Sequence, residues 1–194
     1  MKQAFGRWWA ETAVYLAHVA ALARPGARVR GFAVHPFQAG ALQGWQASDL
    51  CLLVEEGRRQ VDRQRADLDR VQARSQLLFT VAGVLLGLLV SESDTTARHG
   101  TAVATIWYVG LVLVTLGLLG AAALMSVRST FGGVDAALLS RQPAPVLRSM
   151  ARAYAQAVAE GENTVATRLT VFRDAVLLVV VGAALQAGVW LATR

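Results

Sequence analysis

Charge is scarce in this chain, and lysine is nearly absent. Only 16% of its 194 residues are charged, against about 25% in soluble domains, and Lys2 is the sole lysine. Cys51 is the sole cysteine, which excludes an internal disulfide and a cysteine metal cluster. His18, His35 and His99 fall in separate segments, so no metal site is assigned. The patterns G-x-x-x-x-G-K-[ST], G-x-S-x-G and H-E-x-x-H are all missing. Asp67 and Asp69 are two residues apart, as are Glu160 and Glu162. On a helix that spacing puts the carboxylates on different sides, which is no catalytic pair. No catalytic residue and no cofactor are assigned, and the expectation is a protein that is not an enzyme.

What is present is long apolar runs. Residues 76–90, 103–125 and 175–192 contain no charged side chain. The second run has 23 residues and the third has 18, and a hydrocarbon core of about 30 Å needs about 20 helical residues. The first has only 15. Ser75, Ser91 and local thinning make up the shortfall. Spans are therefore expected at about 76–91, 103–126 and 175–192 in a multi-pass membrane protein.

Arginines sort the segments between the runs. The helical segment 48–75 that leads into the first run holds six: Arg58, Arg59, Arg63, Arg65, Arg70 and Arg74. The short loop 91–102 holds only Arg98, and residues 127–174 hold six: Arg128, Arg141, Arg148, Arg152, Arg168 and Arg173. The positive-inside tendency then makes the N-terminus and 127–174 cytoplasmic, and the short loop and C-terminus external. The net charge of +6 fits anionic lipid headgroups better than nucleic acid, so no nucleic-acid duplex is expected as a partner. The arginine and alanine bias suggests a high-GC bacterium and hence a bacterial inner membrane.

Two regions are expected. Residues 1–47 read as an N-terminal amphipathic helix followed by a loop containing Pro25, Gly26, Gly31, Pro36, Gly40 and Gly44. Glu11 and His18 interrupt the first apolar stretch, which favours a retained helix over a signal peptide. Residues 48–194 read as a helical membrane domain with a cytoplasmic stalk. Ser48 or Asp49 is a helix cap, and one helix is expected from there to Val90. A second runs from Val146 through the last span, with Val134–Ser140 as a short helix between them. The fold class is thus an all-α membrane protein with three spans, two of them extended into the stalk.

The stalk carries a seam of Val54, Gly57, Val61, Gln64, Leu68, Val71, Ser75 and Leu78, at alternating four- and three-residue spacings. Leu147, Met150, Tyr154, Val158, Val165, Leu169 and Phe172 make an apolar stripe on the other long helix, interrupted by Gly161. The remaining stalk surface alternates acids with arginines, either as a solvated face or as a surface for an anionic ligand. Arg58, Arg59, Arg63 and Arg65 are the candidate contacts, since guanidinium matches phosphate geometry. In the spans, Gly83 and Gly87 form a G-x-x-x-G pair, used for packing within the chain or for self-association. Gln186 is the polar side chain placed to bond between helices. The uncharged spans argue against proton relays and voltage sensing.

The stretch Leu68-Asp69-Arg70-Val71-Gln72-Ala73-Arg74-Ser75-Gln76-Leu77-Leu78 leads into the first run. Tyr154, Asn163, Arg168 and Arg173 lead into the last. Across roughly residues 50–192 these patterns resemble small bacterial membrane effectors found with cyclic-nucleotide anti-phage systems, including Pycsar-type and SLATT-type membrane domains. The family-like positions are Asp69, Arg74, Tyr154, Asn163, Arg168 and Arg173. The resemblance implies a homo-oligomer in the lipid bilayer that responds to a cytoplasmic protein or nucleotide signal and permeabilises the membrane. The alternatives are a membrane anchor for a cytoplasmic partner and a regulatory subunit of a larger complex.

Overall fold

The computed structural model describes residues 2–24, 29, 42–91, 100–126, 141 and 145–193. These form four helices and, among the described residues, no strand: α1 (Lys2–Ala21), α2 (Ala47–Ser91), α3 (Thr101–Ser126) and α4 (Val146–Ala192). The segment expected as a short helix at 134–140 lies outside the described residues, as does most of the loop at 25–41.

Local chemistry sets the helix starts. Asp49 Oδ2 accepts a bond from the Gln46 N–H at 3.3 Å. Asp49 thus caps α2 from inside its first turn, the reciprocal half of a capping box, where a negative charge also suits the helix dipole. Gly100 precedes α3 with φ +99, a left-handed conformation that glycine adopts without strain. Its carbonyl accepts from the Ala104 N–H at 3.1 Å. Pro145 stands just ahead of α4, and its carbonyl accepts from the Arg148 N–H at 3.2 Å.

No glycine or proline breaks the two long helices, which run for 45 and 47 residues, or about 70 Å each at about 1.5 Å per residue. Along α2, Gly57, Val61, Gln64, Leu68, Val71 and Ser75 are buried. These are the heptad positions, so the alternating spacing picked out the packed side of the helix. On α4 the outcome differs. The most buried residues there include Ala151, Ala157, Gly161, Thr167 and Val171, whereas Leu169 is 46% exposed. Small residues occupy the line of closest helix approach, and the larger apolar side chains flank it. Gly161 does not interrupt the helix; it makes room for a neighbour.

The chain divides into two compact units. One comprises Met1–Val29, Val71–Arg128 and Leu169–Arg194. Its core joins α2, α3 and α4 through Ala82, Leu89, Val114 and Val179, with Leu78, Leu85 and Leu118 packed around them. A second cluster brings in α1 through Tyr15, which meets Leu124, Val171 and Ala175. The other unit comprises Arg30–Arg70 and Ser129–Arg168. There Leu42, Leu50 and Ala151 form the core, flanked by Leu53, Val54 and Leu147.

The surface of the first unit is apolar on all three long helices. Leu77, Val84 and Leu88 of α2, Tyr108 and Val112 of α3, and Leu177, Val180 and Leu191 of α4 are all more than half exposed. Only 17% of the apolar stretch of α2 and 22% of that of α4 is buried within the chain. Water would penalise so much uncovered aliphatic surface, and hydrocarbon does not. Among the described residues, three helices are long and apolar enough to cross a membrane.

Candidate functional site

Glycines in the first unit fall into two sets with different surroundings. On α3, Gly110 and Gly117 face α4 across a close crossing. A Cβ at Gly117 would lie 2.9 Å from the Ala175 carbonyl oxygen, and one at Gly182 would lie 2.9 Å from the Gly110 carbonyl oxygen. Only bare backbone permits this approach, which lets van der Waals contacts form along the whole crossing. Gly83 and Gly87 on α2 are the opposite case. Both are exposed, and a Cβ at either would meet nothing within 4 Å. The G-x-x-x-G pair therefore takes no part in packing the described chain.

Gln186 sits at the α3–α4 crossing. Its side-chain amide donates to the Trp107 carbonyl at 2.8 Å, which links the two helices. The threonine hydroxyls of the spans are satisfied within their own helices. The hydroxyls of Thr80, Thr105 and Thr115 donate to the carbonyls of Gln76, Thr101 and Leu111, four residues back, at 3.1, 2.8 and 2.8 Å. Such back-bonding removes the cost of holding a hydroxyl in hydrocarbon.

The α1 helix is fastened to the first unit by contacts that sequence patterning does not reveal. The Tyr15 hydroxyl donates to the Leu116 carbonyl at 2.7 Å and sits directly on Gly120, where any Cβ would collide with the phenol ring. Arg173 bonds Glu11 at 2.6 Å and Asp174 at 2.9 Å. These hydrogen bonds, that to Glu11 foremost, raise the Arg173 guanidinium above its ordinary value. The sequence signals are a tyrosine amid apolar neighbours and the one acid of the helix, Glu11. Neither names a partner more than a hundred residues away.

The other candidate residues separate by environment. Arg59 pairs with Glu55 at 2.6 Å, Arg63 with Glu56 at 2.5 Å, and Arg65 with Asp62 at 3.9 Å, all on the exposed surface of α2. Arg58, Asp69 and Arg74 are exposed. Tyr154 packs on Gly57, where a Cβ would lie 3.0 Å from that of the tyrosine. Asn163 buries its side-chain oxygen. Arg168 is only 8% exposed, and desolvation lowers its guanidinium below its ordinary value. Gln64, also buried, donates its amide to the Val158 carbonyl at 3.1 Å and lies over Gly161. Among the described residues, no group of three His, Cys, Asp or Glu side chains is placed to hold a metal ion.

These features define an all-helical bundle with three helices of membrane-spanning length and composition. No protein-family model, curated protein or solved structure matches the chain.

Proposed function

We propose that the chain is a bacterial inner-membrane effector that oligomerises on a cytoplasmic signal and permeabilises the membrane, in anti-phage defence. In this role the α1 helix is amphipathic and lies at the inner face. The N-terminal part of α2 and of α4 forms a cytoplasmic stalk, and the C-terminus is outside. The observation that carries the proposal is the outward-facing Gly83 and Gly87 pair, which has nothing within 4 Å of either added Cβ. A bare-backbone face that the chain leaves unused is available to a second copy in the bilayer. The uncharged spans add support, since they hold no relay for coupled transport. A signal acts only by binding the assembled state better than the resting one. Arg58, Arg59, Arg63 and Arg65 are its proposed contacts.

The ion pairs of Arg59, Arg63 and Arg65 with neighbouring carboxylates favour a second role, that of an anchor. A face of alternating charge suits a protein partner better than a phosphate. Controlled expression in a bacterium, alone and with the adjoining genes, separates the two roles when membrane potential and growth are followed. Depolarisation that requires the assembled protein supports the effector. An intact potential under every condition, with a soluble protein co-purifying, overturns it in favour of the anchor.

A further inference from the structure

The first turns of α2 present a face unlike the arginine-rich surface beyond them. Asp49, Leu52, Leu53 and Glu56 follow one another at spacings of three, one and three, which puts them on one side of the helix. Together with Gly44 and Trp45, which precede the helix, they line an open cleft of about 720 Å³. That is the size of a small-molecule pocket, typically about 300–1,000 Å³. Leu53 belongs to the floor, because it packs against the Leu42, Leu50 and Ala151 core. Leu52 is 70% exposed and Trp45 is 40% exposed, so two large apolar side chains of the lining stand uncovered. The charged groups among the described lining residues are both carboxylates.

We propose that this cleft binds an amphipathic organic cation, an ammonium group carried on an apolar body. Trp45 offers a ring face to the cation, and Leu52 and Leu53 cover its body. Asp49 and Glu56 supply the opposite charge. Asp49 keeps acceptor capacity beyond its bond to the Gln46 N–H, since a carboxylate has about four lone-pair sites. Glu56 shares its charge with Arg63. That pair is exposed, and exposed pairs hold weakly, so a ligand displaces it at little cost. Recognition here depends neither on a pore nor on the stalk arginines as anion contacts.

The test uses the full chain in neutral maltoside micelles, titrated with phenyltrimethylammonium and separately with benzenesulfonate, and followed by ligand-observed NMR against protein-free micelles. Saturable binding of the cation, and none of the anion, is expected. Asp49→Asn removes the charge and keeps a capping side chain. This variant, Glu56→Gln and Trp45→Ala should each weaken binding about three- to tenfold with unchanged far-UV circular dichroism. Arg63→Gln should tighten binding, because it frees Glu56. Three results overturn the proposal: equal binding of cation and anion, cation binding no greater than in empty micelles, or affinity unmoved by both carboxylate variants.

Discussion

Replacing Gly83 and Gly87 together with leucine separates the two uses of glycine in the spans. Within one chain the change is harmless, because a Cβ at either position meets nothing within 4 Å, and leucine is the better helix former by about 0.5–1 kcal/mol. Between two copies it is costly. Leucine forced into a backbone-to-backbone contact overpacks it by about 1–3 kcal/mol, roughly a five- to 150-fold rise in the dissociation constant. Gly182→Leu is the contrasting variant. Its Cβ would lie 2.9 Å from the Gly110 carbonyl oxygen and 3.1 Å from the Val114 nitrogen, so the α3–α4 crossing itself must open. Cys51, the single cysteine and exposed, takes donor or acceptor dye for energy transfer in vesicles at falling protein-to-lipid ratio. The double variant should shift dissociation to higher protein density with helicity and thermal stability kept. Gly182→Leu should lose stability. A dissociation curve unmoved by the double variant refutes the assignment of this face to self-association.

Gly161→Ala puts a methyl group against the Gln64 amide and displaces its bond to Val158, lowering stability by about 0.5–1.5 kcal/mol. In a Gln64→Ala background the same change should be neutral or stabilising, and equal losses in both backgrounds in thermal unfolding would exclude the contact. Gln186→Leu removes the bond to the Trp107 carbonyl and should cost about 0.6–1.7 kcal/mol, read as reduced resistance to denaturing detergent; wild-type resistance would show the bond to be energetically idle. An impermeant maleimide should label Cys51 only after the inner membrane is opened. Labelling of intact spheroplasts would reverse the orientation inferred from the arginines.

Patterning exposed the long helices because their determinants are local. Uncharged runs mark the apolar stretches, and the spacing of Val61, Gln64, Leu68, Val71 and Ser75 marks the packed side of α2. Patterning failed where contacts join distant segments. The apolar stripe on α4 runs through large residues such as Leu169, whereas the most buried positions there include Ala151, Ala157 and Gly161. Hydrophobicity ranks leucine above alanine, but close helix approach favours the smaller side chain. The docking of Tyr15 on Gly120 was equally hidden, since nothing local to either residue points to the other. Of the candidate site residues, Gly83 and Gly87 stand out in sequence as a motif. Only the structure distinguishes them from Gly110 and Gly117, which are spent on packing within the chain.

The apolar run of α2 has 15 residues, and at about 1.5 Å each it covers about 22 Å of a core about 30 Å thick. A bilayer that meets such a helix thins around it, and each ångström of mismatch costs a fraction of a kcal/mol. When two copies stand side by side, they share one dimple instead of two. Lipid deformation therefore draws copies together whatever their side chains do, and draws them most strongly in thick, ordered membranes. For the proposed assembly, membrane thickness would then be a setting on the equilibrium, one that a cell can change through its lipid composition without altering a single residue.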